Sequence, residues 1–160
     1  MPIKIFCSVL LFLNFGMALA EVAPVKPFIS GSYQEILSAN KGKGFMLAIW
    51  SLDCSSCIKD MELLNSLHKS RPELKIILIS SDEPSSSSEI QTLLNKHQLA
   101  NVENWVFADD NSQKLRYEID SSWYSELPRT YFFSANQQRD AVSGALTAED
   151  YKAHLDKMKI

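Results

Sequence analysis

The sequence predicts an α/β fold in which helices flank a central mixed sheet. Short apolar runs alternate with stretches of helical periodicity along the chain, which is the pattern of that class. The run 45–50 is rich in Leu, Ile and aromatic residues, as in a buried strand. After this run in the sequence, apolar residues recur at helical spacing: Ile58, Met61, Leu64 and Leu67. Cys54 and Cys57 therefore fall where a strand ends and a helix begins.

The first twenty residues resemble a secretory signal peptide. Lys4 supplies a positive start, residues 5–15 form an apolar stretch, and Ala18-Leu19-Ala20 is a small-x-small cleavage site. If this segment were kept, it would serve as a membrane anchor. Its removal takes Cys7 with it and leaves roughly 140 residues, enough for a single domain.

The segment before the dithiol contains a lead-in and one helix. Residues 21–31 include Pro24 and Pro27, which indicate an extended lead-in. The domain is expected to span residues 32–160 and to open with a helix over 32–39. Ser32 is the predicted N-cap of that helix, with Glu35 completing a capping box.

After the dithiol, the chain alternates helices and strands. The helix 55–70 ends before Pro72, and the apolar run 75–80 predicts a strand covered on both faces of a parallel sheet. Strand, helix and strand of these lengths form a right-handed crossover. The remaining predictions for this part are a polar loop at 82–88, a helix over 88–99, a strand over 104–108 and a helix over 112–119.

A hairpin and a helix close the predicted domain. A strand over 131–134 is followed by a turn at 136–138 and a second strand over about 140–144. The last helix spans 147–159. Thr147 caps it, with Asp150 three residues on.

Charge and composition exclude several partners and ligands. The net charge is −3, without a basic patch, so nucleic acid is not an expected partner. Membrane contact is expected only if the N-terminal segment stays uncleaved. His68, His97 and His154 are scattered, and no second cysteine pair follows, so no metal site and no organic cofactor are predicted.

The spacing of Cys54 and Cys57 favours redox chemistry over a structural role. In an oxidising compartment, a lone cysteine pair is either a staple or a redox centre. A staple that encloses two residues removes little entropy from the unfolded chain. The unpaired N–H groups and positive dipole of a helix start would stabilise a thiolate at Cys54. Asp53, directly before it, would oppose that thiolate by charge repulsion.

Three motifs together resemble the thioredoxin superfamily, and within it the exported TlpA/ResA-like branch that includes the thioredoxins of cytochrome c maturation. They are the Trp50-x-x-x-Cys54-x-x-Cys57 core, Asp60 three positions later, and a Leu-Pro-Arg-Thr loop at 127–130 that opens a strand. The predicted hairpin and helix at the end of the chain are also similar to those of this superfamily. The resemblance covers about residues 32–158 and implies a thioredoxin-like fold.

The resemblance also implies roles for individual residues. Pro128 would be a cis-proline beside the dithiol, and the backbone of Leu127 would pair with a bound substrate chain. Trp50 corresponds to the tryptophan that precedes the dithiol in that family, and it would contribute to substrate binding together with Leu127 and Pro128. Asp60 would exchange protons with Cys57, since residues three apart share a helix face.

The sequence departs from the family at four positions. An aromatic residue is usual at Asp53, and proline is frequent at Ser56. Ala48 occupies the position of thioredoxin's buried aspartate, and Glu62 replaces a frequent proline. These differences bear on the substrate range and on the subfamily.

The function expected from the sequence is that of an exported, periplasmic-type thiol-disulfide oxidoreductase. Cys54 would attack a substrate disulfide and Cys57 would resolve the mixed disulfide. Because Asp53 opposes the thiolate, we expect the protein to reduce disulfides of other exported proteins. An upstream redox partner would then return it to the dithiol form. Two alternatives remain: a non-catalytic binding module with a structural disulfide, and a protein that holds Cu(I) between its two thiols.

Overall fold

A computed structural model describes residues 24–158, which form one sheet and its flanking helices. The elements, in chain order, are β1 (Lys26–Phe28), α1 (Ser32–Ala39), β2 (Phe45–Trp50), α2 (Ser55–Ser70), β3 (Lys75–Ser80), α3 (Ser87–Lys96), β4 (Glu103–Phe107), α4 (Ser112–Ile119), β5 (Arg129–Phe133), β6 (Arg139–Ser143) and α5 (Ala148–Met158). A short 3-10 turn, Pro84–Ser86, leads into α3.

The sheet is mixed, as the sequence predicts. Its strand order is β1-β4-β3-β2-β5-β6. The first four strands in this order run parallel, β5 pairs antiparallel with β2, and β6 pairs antiparallel with β5. The predicted bounds of β2, α2 and β3 coincide with the observed ones.

Two apolar layers cover the sheet, one on each face. In β3, Ile76 and Leu78 point to the layer that contains α2, α3 and α5. Ile77 and Ile79 point to the opposite layer, which contains α1 and α4. Because both faces of the central strands are buried, their sequences are nearly continuous apolar runs. The dithiol belongs to the first layer.

Part of the predicted lead-in is a strand of the sheet. Residues 26–28 pair in parallel with β4 as β1, and Phe28 is fully buried. Its ring stacks on Phe107 and meets the edge of Trp105. The edge position of β1 tolerates Pro27, which lacks an N–H to donate.

The predicted N-cap of α1 is wrong by one residue. Gly31 is the N-cap, in the left-handed conformation with φ of 91°, and Ser32 is the first helical residue. The Ser32 hydroxyl instead accepts a hydrogen bond from the backbone N–H of Ile29 at 3.0 Å. The glycine allows the chain to turn before Ser32, so the capping box with Glu35 does not form.

The two other predicted helix ends have different outcomes. The Thr147–Asp150 box is confirmed: Thr147 N–H donates to Asp150 at 3.0 Å, and Asp150 N–H donates to the Thr147 hydroxyl at 3.1 Å. In contrast, α3 ends at Lys96 and does not reach Leu99. Gln98 adopts a φ of 57°, and Leu99 N–H donates to the carbonyl of Leu94, which is the Schellman ending.

The predicted signal peptide, residues 1–20, lies outside the described residues, as do residues 21–23 and 159–160. Among residues 24–158, no helix has the length and apolar character needed to cross a bilayer.

Candidate active site

The site is built around Cys54, the N-cap of α2. Its backbone is extended, and the helix begins at Ser55. Cys54 forms a disulfide with Cys57, with their Cα atoms 5.2 Å apart. Cys54 is half-buried, whereas Cys57 is only 1% exposed. The first cysteine is therefore the more accessible of the two.

Hydrogen-bond donors surround the Cys54 sulfur. Its Sγ accepts a bond from the backbone N–H of Cys57 at 3.1 Å, and the Ser56 hydroxyl lies 3.4 Å away. The first turn of α2 contains no acidic residue, and Asp53 lies exposed just outside it. A thiolate at Cys54 would thus have a backbone donor, a hydroxyl donor and the positive end of the helix dipole.

Asp82 fixes the segment in front of the dithiol. Its carboxylate accepts bonds from the Ser51 hydroxyl at 2.8 Å and from the Leu52 N–H at 2.9 Å. The Ser80 hydroxyl donates to the same group, which ties the anchor to the end of β3. The sequence predicts only a polar loop at Asp82, because Ser51 and Leu52 lie about thirty residues away along the chain.

Asp60 is buried near the dithiol, not exposed on the helix surface. It is 5% exposed, and the Tyr151 hydroxyl of α5 donates to its Oδ2 at 2.8 Å. Burial raises the pKa of Asp60, and the hydrogen bond from Tyr151 lowers it by less. The net effect is a carboxyl that keeps its proton to a higher pH than an exposed aspartate. Tyr151 is a residue that sequence reasoning missed.

The Leu127–Pro128 bond is cis, as the resemblance implies. Since β5 runs antiparallel to β2, the residues before Arg129 lie at the end of the sheet where β2 leads to Cys54. Leu127 packs against the apolar layer that contains both cysteines. Within residues 24–158, the N–H and C=O of Leu127 make no backbone hydrogen bond, so both are open to an added chain.

Trp50 lies behind the dithiol. Its side chain is 2% exposed and belongs to the same apolar layer as Cys57. It therefore has almost no surface with which to touch a substrate, and its contribution is to the packing beneath the site.

A cluster of polar and charged side chains joins the two ends of the loop 121–128. We call it the Asp120 clasp, and its members are Asp120, Ser122, Arg129, Tyr131 and Arg139. The Asp120 carboxylate accepts bonds from Ser122 and from Arg129, the latter at 2.8 Å, and lies 3.4 Å from Arg139. Burial acts to raise the pKa of Asp120, but the bonds from Ser122 and Arg129 and the charge of Arg139 outweigh it and lower the pKa to about 2.

No cluster of three or more His, Cys, Asp or Glu side chains suited to a metal ion occurs in the described part of the chain.

Comparison with known proteins identifies the fold through solved structures. The sequence matches no protein-family model and has no significant match among curated proteins. Solved structures do match. A secreted Mycobacterium tuberculosis disulfide oxidoreductase homologous to E. coli DsbE has a TM-score of 0.61 and 17% identity, with 75% of this chain and 85% of that chain covered.

Two further structures agree with it. A DsbF homologue from Corynebacterium diphtheriae has a TM-score of 0.61 and 18% identity, covering 76% of this chain and 75% of that chain. StoA from Bacillus subtilis has a TM-score of 0.54 and 18% identity, with coverages of 71% and 83%. These similarities show that the chain has the thioredoxin-like fold predicted from its motifs.

Proposed function

We propose that this thioredoxin-fold chain is an exported thiol-disulfide oxidoreductase that acts through Cys54 and Cys57. The observation that carries the proposal is the pairing of a partly exposed Cys54, at a helix start, with a buried Cys57 one turn inside. The unpaired backbone of Leu127 supports it, because a polypeptide substrate could add to that edge.

The reaction proceeds by two thiol-disulfide exchanges. The Cys54 thiolate attacks one sulfur of a substrate disulfide, and the other substrate sulfur leaves as a thiolate that takes up a proton. Cys57 then gives its proton to the Asp60 carboxylate and attacks Cys54 Sγ, which releases the second substrate sulfur. Two electrons pass to the substrate, and the protein is left with the Cys54–Cys57 disulfide.

The proposed direction is reduction of substrates. Asp53 places a negative charge beside Cys54, and the first turn of α2 holds no cation, so this charge offsets part of the stabilisation that the Cys57 N–H and the helix dipole give a thiolate. A less stabilised dithiol form makes the disulfide harder to reduce. The protein would then need an upstream dithiol to supply two electrons after each turnover.

Equilibration with glutathione tests this direction. A potential near roughly −270 mV supports a reductant, and one near roughly −120 mV makes the protein an oxidant. Asp53→Asn is expected to make the potential less negative. Lys59→Met, which removes an exposed charge one turn farther along α2, is the matched control and should change it less.

The proposed location is the periplasm or its equivalent, and the proposed partners are exported proteins with disulfides or dithiols. Residues 1–20 support export, and one similar structure is described as a secreted protein. Fractionation of cells that produce the full chain tests the location: the processed protein is expected outside the cytoplasm.

Turnover of a protein disulfide tests the activity itself. With an excess of a dithiol reductant, the wild-type protein should reduce insulin disulfides catalytically, at a higher rate than the reductant alone. Cys54→Ser should abolish this increase in rate. Prereduced Cys57→Ser, mixed with insulin without added reductant, should react once and stop as a mixed disulfide. A wild-type protein that binds insulin but produces no turnover would instead be a binding module with a structural disulfide.

A further inference from the structure

We propose that Tyr151 is a positioning residue whose hydroxyl holds the Asp60 carboxyl for proton exchange with Cys57 and sets the pH range of the resolving step. This inference rests on the proposed function. It adds to it a residue from α5 that lies 91 positions from Asp60 along the chain.

The contact is buried and directional. Tyr151 is fully buried, and its hydroxyl has one acceptor, the Oδ2 of Asp60 at 2.8 Å. Its ring packs edge-on against Phe132 of β5, with centroids 6.1 Å apart, so the phenol cannot swing away without disturbing the core. A hydroxyl fixed in this way keeps the Asp60 side chain in one orientation on α2.

Asp60 and Cys57 are neighbours on that helix. They lie three residues apart, a spacing that places them on one face. Both are buried, so water has little access to accept the Cys57 proton directly. A carboxyl beside the thiol can do so if it is ionised when Cys57 attacks.

Few other groups act on this carboxyl. From α5 it meets Tyr151, and from its own helix it shares a face with Cys57. In the strands beneath the apolar layer that contains α2 and α5, Ala48 of β2 and its partner Thr130 of β5 carry no charge. The Thr130 hydroxyl is buried, and its interaction with the Tyr151 hydroxyl acts on the pKa of Tyr151, not on that of Asp60. Burial and the Tyr151 bond are the two influences on the pKa of Asp60.

The direction of the effect follows from these contacts. The Tyr151 hydroxyl stabilises the ionised form of Asp60 and opposes the rise that burial causes in its pKa. Without the hydroxyl, Asp60 stays protonated to a higher pH and cannot accept the Cys57 proton there. Resolution of the mixed disulfide should then begin only at a higher pH.

Tyr151→Phe tests this, with decay of the mixed disulfide at Cys54 followed in single turnovers across pH. The midpoint of the profile is expected to move up by about one to two pH units, the size of a lost hydrogen bond to a charged group. Asp60→Asn should remove this pH step, and adding Tyr151→Phe to it should change the profile no further.

Tyr33→Phe is the matched control. Tyr33 is also buried, but it lies in the opposite apolar layer, where its hydroxyl accepts a bond from Arg139. Its loss should lower stability to a similar degree without moving the midpoint. An unchanged midpoint in Tyr151→Phe would overturn the inference, even if that variant were less stable.

The outcomes separate the inference from the proposed function. A wild-type protein that forms no mixed disulfide contradicts the function, whereas a normal wild-type reaction with an unshifted Tyr151→Phe profile contradicts the inference alone. If Tyr151→Phe does not fold, NMR titration of the wild-type protein decides. The chemical shifts of Tyr151 should then change with the same pH midpoint as that of the Asp60 carboxyl carbon. Tyr151 shifts that stay constant while Asp60 titrates would refute the coupling between the two residues.

Discussion

Asp120→Asn should loosen the loop 121–128, which contains the proposed substrate-binding residues Leu127 and Pro128, without altering the cysteines. The loop 121–128 is bracketed by Asp120 and Arg129, whose side chains meet at 2.8 Å. Between them, Trp123 is buried and donates from Nε1 to the carbonyl of Glu126 at 2.9 Å. The clasp therefore holds the segment that ends in Leu127 and Pro128, while no described contact joins it to Cys54.

The magnitude can be worked from the charge interactions. The pKa of Asp120 falls from an ordinary 3.8 to about 2, which corresponds to roughly 2.4 kcal/mol at neutral pH. Because the Arg139 side chain is 32% exposed, water screens its interaction with Asp120. We therefore expect the loss of the Asp120 charge to lower the free energy of unfolding by about 1–2 kcal/mol. Leaving the partly buried Arg129 without a carboxylate adds to this cost, so we expect a total of about 2–3 kcal/mol.

The pH dependence has a definite sign. Because the pKa is lower in the folded state, the stabilisation is fully present above pH 3.8 and is lost as the pH falls towards 2. The difference in unfolding free energy between wild type and Asp120→Asn should therefore shrink over that interval. At pH 7, the melting temperature of the variant should be lower by roughly 10 °C.

Two assays separate the loop from the chemistry. The KM for a protein disulfide should rise several-fold, and the reaction of Cys54 with a small aromatic disulfide should stay within about twofold of wild type. Asp110→Asn, which alters an exposed aspartate of a neighbouring loop, is the control. A melting temperature within about 2 °C of wild type, or equal losses with both substrates, would refute the role of the clasp.

Three further outcomes are expected. Ser56→Ala should slow alkylation of Cys54 near neutral pH about two- to fivefold, since a thiolate can only accept the bond from that hydroxyl, whereas the exposed Ser55→Ala should not. Asp82→Ala should cost about 1–3 kcal/mol and slow attack on protein disulfides, because Leu52 loses its anchor; Glu83→Ala is its exposed control. In the reduced wild type, alkylation should modify Cys54 before Cys57, and the reverse order would contradict their assigned roles.

The parts of the fold with strong local signals were predictable from sequence. The apolar runs of β2 and β3 gave correct bounds because both faces of these strands are buried. The box of Thr147 and Asp150 was predictable because its partners are three residues apart. In contrast, β1 has only three residues, and it is a strand because β4 offers it a parallel edge.

The site was only partly predictable for the same reason. The spacing of Cys54 and Cys57 and the cis bond at Pro128 were expected from motifs. The partners that hold the site were not, since Tyr151 reaches Asp60 from 91 residues away and leaves no local pattern. The burial of Asp60 likewise depends on how α5 packs over α2, which periodicity alone does not define.

Trapping of mixed disulfides tests the central claim most directly. Full-length Cys57→Ser, produced in cells and isolated after acid quenching, should accumulate adducts linked through Cys54 that a reductant releases. Cys54→Ser, the matched variant, should accumulate few, because Cys57 is buried. Adducts formed equally through Cys57, or none in either variant under conditions where the protein is reduced, would contradict a dithiol mechanism led by Cys54.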